Sequence, residues 1–332
     1  MFAFNAVMPI LLLVLLGLLL KKLNFASDEF FKKANSLVFN VFLPILLFTN
    51  VYEINSLGDV NWRAAIYCVF AIFLFLLLGV VACALFVKKN EQKGVILQCS
   101  FRSNHAIVGI PLAQSLGGAE ALAFVSVLSA MAIPLFNTLA VFCLSRYAGG
   151  EKKAPLSKTL KAAVKNPLII GVAVGGMVLA VRSVIPLDSS GVPVFTIKNN
   201  LPFLWSAISS AAKIASPLAL VILGARFDFS AVKELARPIS LGVFLRNFAA
   251  PFVGIGLALI LSRAFGVMEV TAAELPGYIS VFGSPVAVSS AVMVGEIGGD
   301  DQLATQLVVW TSILSLFTVF VTVFILKSFA LL

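Results

Sequence analysis

Ser103-Asn104-His105-Ala106-Ile107-Val108-Gly109-Ile110-Pro111-Leu112 and Tyr278-Ile279-Ser280-Val281-Phe282-Gly283-Ser284-Pro285 decide how this chain is read. Each places Gly-x-Pro in the middle of a long apolar run. Proline has no backbone N–H and its ring clashes with the preceding turn of a helix. Glycine two residues earlier readily takes the left-handed conformation that ends a helix, and proline suits the first turn of a new one. Each tripeptide is therefore expected to end a helix, cross over and restart it at Pro111 and Pro285. A kink in a continuous helix is the alternative for either proline alone; the occurrence of two favours the breaks. Backbone groups freed at mid-membrane must face protein or a water-filled cavity. A restarting half-helix offers N–H donors and a partial positive charge, where a carboxylate fits.

The surroundings of these runs make the bilayer the solvent. Of 332 residues, 60% are hydrophobic and only 12% charged, and the mean hydropathy is +1.05. A soluble domain carries roughly 25% charged residues. Apolar stretches long enough to span lie near 2–21, 35–52, 64–87, 94–116, 120–145, 164–184, 200–224, 238–262, 271–296 and 303–329. The run from Phe2 to Leu20 has no basic residues before it and no small-residue cleavage site, so it reads as the first span. Cys68, Cys83, Cys99 and Cys143 all fall inside apolar runs and read as packing.

The net charge of +9 does not point to nucleic acid, whose binders cluster basic residues with stacking aromatics on a solvated face. Here Lys and Arg sit in short loops, 16 on one set of alternate loops and 5 on the other. The positive-inside rule puts the first set in the cytoplasm and both termini outside. The segment with Glu296, Asp300 and Asp301 falls on the inside without a Lys or Arg of its own.

An internal repeat adds to this. Pro44 and Pro217 lie 173 positions apart, Pro111 and Pro285 174, and Arg63 and Arg237 174. Five spans per half invert the second half, as in many secondary transporters. The expected fold is all-α integral membrane: ten transmembrane helices in two inverted five-helix repeats, residues 1–150 and 151–332, with broken crossing helices 4 and 9.

Ionisable residues inside spans are costly and usually functional. Those here are Arg102, Lys213 and Arg246, with no Asp or Glu clearly mid-span. This positive interior favours an anionic substrate. Arg102 and Arg246 either snorkel to the cytoplasm or face the site; Lys213, deeper, is expected to face a cavity. Asn104 can donate to and accept from a ligand. His105, the single histidine, could carry a coupling proton or simply pack. Ser284, with Ser280, Ser289 and Ser290, could offer hydroxyls to a ligand or bond its own helix. The candidate site is thus Asn104, His105, Gly109, Ile110, Pro111, Ser284, Pro285, Lys213 and Arg246. No cofactor or metal is called for, and the lack of paired carboxylates or a metal cluster argues against an enzyme. A non-transporting sensor of an organic acid is the competing class.

Ser103–Leu112 resembles the fourth-helix motif of the auxin efflux carrier family, in which Asn precedes a Gly-Ile-Pro crossing. Pro217–Gly224 resembles that family's seventh helix, and Asn35 with Phe42–Phe48 its second; Asn166–Gly171 and Leu303–Leu326 are also similar. The resemblance implies a scaffold of helices 1, 2, 6 and 7, often dimeric, and a mobile transport domain of helices 3–5 and 8–10. It places the substrate at the crossing, with Asn104 on its carboxylate. It implies an organic-acid permease of a bacterial inner membrane, with members for malate and malonate, and H⁺ or Na⁺ as the coupling ion. A sodium-coupled symporter of the bile-acid carrier type is the runner-up. The short central loop, His105 after Asn104, and Gly-Ser-Pro in the ninth helix depart from the plant carriers and point away from auxin.

Overall fold

The computed structural model describes residues 2–53, 61–148, 164–186 and 193–332, with positions 157 and 161. Among them the regular elements are all helical, with an isolated antiparallel bridge between Ser103 and Val286. The helices are α1 (Phe2–Lys22), α2 (Asp28–Tyr52), α3 (Trp62–Phe86), α4 (Asn90–Phe101), α5 (Ile110–Tyr147) and α6 (Pro167–Ser183). They continue with α7 (Pro202–Arg226), α8 (Ala236–Arg263), α9 (Leu275–Gly283), α10 (Ser289–Ile297) and α11 (Asp301–Ser328). Helices α2, α3, α7, α8 and α11 are each long and apolar enough to cross a membrane. Large apolar side chains such as Phe252, Leu85 and Phe317 stand outward, whereas Gln98, Arg102, Asn104 and Gln306 are buried. That arrangement suits a lipid surround, and the chain is an integral membrane protein.

Side-chain caps start several of these helices. Asn61 accepts from the Ala64 N–H ahead of α3, Asn166 from Leu168 ahead of α6, and Asp300 from Leu303 ahead of α11. Each satisfies one of the donors a helix start leaves without a partner.

Three of the prolines inside the apolar runs are met by a wide turn, whereas Pro9, Pro134 and Pro217 sit within α-helices. A π-helical turn spans Val38–Phe42, another His105–Gly109 and a third Phe244–Ala249. Each ends two residues before a proline: Pro44, Pro111 and Pro251. The wider turn moves the carbonyl that the proline ring would otherwise strike. This corrects the expectation of a break at Pro111. Gly109 has helical φ −72° and ψ −44°, and Pro111 sits exposed in the first turn of α5. The chain leaves the helix earlier, at Arg102–Asn104. At the other tripeptide the helix does end at Gly283, but it restarts at Ser289, four residues beyond Pro285 rather than at it.

The misplacement has a plain cause. Trp62 and Ala236, which start α3 and α8, lie 174 positions apart; Phe101 and Gly283, which end α4 and α9, lie 182 apart. The connector 264–274 after α8 is eight residues longer than the connector 87–89 after α3. A single offset of 174 therefore does not carry the end of α4 onto the end of α9. A second break in regular helix, at Gly118 (φ 64°, ψ −143°), divides α5. Only glycine takes that conformation freely.

Two groups of helices result. Helix α1 packs on α7, and α2 packs on α6 and α7. A Cβ at Gly17 or Gly224 would run into the facing backbone at Val221 or Val14, so these glycines set the close α1–α7 approach. The second group joins α3, α4 and α5 with α8, α9, α10 and α11. At one end of the bundle the acidic segment finds its partners on α2, α4 and α7. Arg226 Nη2 pairs with Asp301 Oδ2 at 2.6 Å, Asn35 Nδ2 donates to Glu296 Oε1 at 3.0 Å, and Gln92 Nε2 to Asp300 Oδ2 at 2.9 Å. Asp301 thus receives a counter-charge from α7, while Glu296 and Asp300 receive neutral amide donors from α2 and α4.

Candidate functional site

The unwound segments Arg102–Asn104 and Ser284–Val288 pass each other inside the bundle. Proline forces the residue before it out of the helical region, and Ser284 is extended at φ −68°, ψ 150°. On the partner segment the cause is subtler. Ser103 and Asn104 compete weakly with helix, and their backbone finds its partners across the crossing. Asn104 N–H donates to the Pro285 carbonyl at 2.7 Å, beside the Ser103–Val286 bridge. Val286 N–H donates to Thr311 Oγ1 at 3.1 Å, and that hydroxyl donates to Leu307 O at 2.7 Å.

Two buried guanidinium groups flank the crossing. Neither snorkels: Arg102 is 2% exposed and Arg246 0%. Arg102 donates to Gln98 Oε1 at 3.3 Å, Asn137 Oδ1 at 2.7 Å and Ser289 Oγ at 2.8 Å, and touches the Met293 sulfur. Arg246 donates only to main-chain carbonyls: Ser284 at 2.9 Å, Phe101 at 3.3 Å, Val281 at 3.1 Å and Phe282 at 2.7 Å. Among the described residues no carboxylate lies within ion-pair distance of either.

His105 opens the π turn, and both its ring nitrogens are engaged. Nε2 meets Ser129 Oγ at 2.7 Å and Nδ1 meets Ser280 Oγ at 2.8 Å. Ser129 commits its own proton to the Val125 carbonyl at 2.6 Å. The network therefore assigns the ring hydrogen to Nε2, with Nδ1 accepting from Ser280.

A cavity of about 70 Å³, counted as the space open to the centre of a water molecule, lies against the crossing. That is room for roughly half a dozen waters, or for one small molecule. Its crossing-side wall runs from Arg102 to Ile107 and from Ala287 to Ser289; its other walls come from α2, α5, α6 and α7, including Asn50, Asn137 and Ser216. Two buried polar atoms in this wall have no partner, Asn104 Nδ2 and Ser103 Oγ. The first turns after both breaks, at His105–Ile107 and near Ser289, also border it. N–H groups of a first turn have no partner within their own helix.

The site expected from sequence is thus partly assembled. Asn104 and His105 line the cavity, and Arg246 and Pro285 build the crossing behind it. Gly109 is buried against Ser280 and Ser284 rather than in the wall. Ser284 directs its hydroxyl to the Ser280 carbonyl at 2.6 Å. Ile110 packs with Ala113, Ala121 and Val125, and Pro111 faces outward. Lys213 is exposed on α7 and does not line the cavity, whereas Ser216 and Ala219 of the same helix do. The cavity wall also holds Ser103, Asn137, Ser289 and, most consequentially, Arg102. Arg102 stands out in the sequence as a charge in a span; its position next to an unwound segment does not.

A family model described as membrane transport protein matches residues 2–323. The chain belongs to that family, which is the family of the auxin efflux carriers. It is similar to an uncharacterized transporter of Methanothermobacter thermautotrophicus, 24% identical over 317 residues, 94% of each chain. Membership in the auxin efflux carrier family makes it a membrane transporter rather than an enzyme. A bilayer and a transported small substrate follow from that.

Proposed function

We propose that this transporter carries a small organic anion, a mono- or dicarboxylate, by elevator-type alternating access. One observation carries the reading. In the cavity wall an uncountered, buried Arg102 stands beside the unpartnered Asn104 amide and Ser103 hydroxyl. Buried polar groups without partners are rare, and each costs about 1–3 kcal/mol. A carboxylate would satisfy the two donors and counter the charge. First-turn N–H groups at His105–Ile107 would complete the cradle. The small cavity suits an acid of a few carbons and disfavours bulky rings.

The rest of the reading follows from the helix grouping. Helices α1, α2, α6 and α7 would stay fixed, as one half of a homodimer, while the crossing and its companions move. On this reading the chain makes ten membrane passages in two inverted halves, 1–150 and 151–332, with an offset between equivalent helices that grows from 174 to 182. Both termini would lie outside the cytoplasmic membrane.

The test is a thermal-shift screen of short mono- and dicarboxylates on the purified protein, followed by labelled-acid counterflow in proteoliposomes. A ligand at 100 times its Kd adds about 2.7 kcal/mol of stability. An acid that stabilises and undergoes counterflow supports the proposal. One that stabilises without counterflow makes the protein a sensor. No response to any acid removes the anion site.

A further inference from the structure

The ends of α4 and α9 meet under one side chain. The last carbonyls of a helix have no acceptor role within it and carry the negative end of its dipole. Here Phe101 closes α4, while Val281, Phe282 and Ser284 close α9, and all four carbonyls accept from Arg246. Two negative helix ends buried together favour a cation between them, and carriers with broken helices commonly bind a mobile inorganic one on such carbonyls. We infer that Arg246 is a tethered cation taking the place an alkali ion would hold between these helix ends, so that the protein binds no sodium there. Its proposed anion transport then needs none. That second statement rests on the carrier reading; the first does not.

Three features support the assignment. The guanidinium is wholly buried and uses four of its five N–H donors on these carbonyls, so no coordination space remains for an ion among them. No carboxylate competes for it among the described residues. Its aim is fixed by the π turn Phe244–Ala249. From the same turn Asn247 Nδ2 donates to the Thr311 carbonyl at 2.9 Å, and Thr311 in turn holds Val286 of the crossing. One wide turn therefore braces the crossing from two sides. Arg246 is a positioning residue and does not line the cavity.

The experiment compares melting temperatures of the purified protein in sodium chloride and choline chloride at equal ionic strength, with no acid present. The parent is expected to melt at the same temperature in both. A rise specific to sodium that saturates with concentration overturns the inference. Arg246→Lys and Arg246→Gln test the charge. Lys keeps a cation on the carbonyls and is expected to retain more of the parent's melting temperature than neutral Gln. Equal stability of the two variants also overturns it; if neither folds, the sodium comparison on the parent decides. Counterflow of the acid separates the two readings. Transport that requires sodium sinks the tethered cation and leaves the carrier standing. Absence of transport in both salts sinks the carrier and leaves the melting comparison intact.

Discussion

Gly109-Ile110-Pro111 and Gly283-Ser284-Pro285 look like copies of one device, and the protein uses them differently. At the second, the chain unwinds: Ser284 is extended and its carbonyl goes to Arg246. At the first, it stays helical through a π turn, and the unwinding lies seven or more residues upstream. The two unwound segments also differ in what they leave open. The one at 284–288 is closed off by Arg246, Thr311 and the Ser103–Val286 bridge. The one at 102–104 retains two buried donors with nothing to bond. On the proposed function, one arm is a built support and the other a recognition surface. A proline says that the helix ladder must be interrupted, but the means is left to the surroundings.

This contrast breaks or sharpens at four positions. Arg246→Met is expected to have the largest effect. It leaves four buried carbonyls without their donor at about 1–3 kcal/mol each, offset in part by removal of a buried charge. A loss of several kcal/mol, read as a large fall in melting temperature or in folded yield, is expected; a variant as stable as the parent would show the support arm to be passive. Next comes Asn104→Ala. Losing a hydrogen bond to a charged ligand costs about 1.5–3 kcal/mol, or roughly ten- to a hundredfold in Kd, with little change in melting temperature. Calorimetric titration of the acid that emerges from the screen decides it, and unchanged affinity in a folded variant moves the ligand off the recognition arm.

The two glycines give the smaller effects. A Cβ at Gly109 would sit 2.7 Å from the Ser280 carbonyl and 2.9 Å from Ser284 Oγ. Gly109→Ala should therefore cost about 1–3 kcal/mol by overpacking. A Cβ at Gly283 would meet only ordinary contacts, Ile279 at 3.6 Å and Val319 at 3.8 Å. Gly283→Ala should be neutral or stabilise by up to about 1 kcal/mol. Chemical or thermal denaturation of the pair checks this, and equal costs at the two positions would mean that the two tripeptides are equivalent after all.

Much of the fold is legible in the amino-acid sequence. Apolar runs, alternate basic loops and prolines at matched spacing locate the helices and single out the two runs that break. Asn104 is legible because an amide in an apolar run has few reasons to be there. The break beside it is not. Arg102-Ser103-Asn104 carries no proline or glycine, and the extended backbone at Ser103 depends on a partner 183 positions away, Val286. For the same reason Arg102 has a charge in the sequence but no role. Lys213 misleads because depth along a helix is visible in sequence, while the face it occupies depends on what α7 packs against: Ala212 and Ala215 turn inward and Lys213 outward. His105 falls between these cases. Its ring is held by Ser129 and Ser280, neither near it in sequence.

The two guanidinium groups have an electrical consequence. Neither has a counter-ion among the described residues, so a crossing that moves through the membrane takes positive charge with it. Each elementary charge carried across the full potential is worth about 2.3 kcal/mol per 100 mV. On the proposed elevator reading, with the cell interior negative, an empty crossing would be drawn toward the cytoplasmic face, and a bound dianion would cancel that pull while a monoanion would halve it. The membrane voltage then acts on the empty and loaded forms differently. Charge movement recorded from reconstituted membranes without acid would be the signature of the arginines themselves.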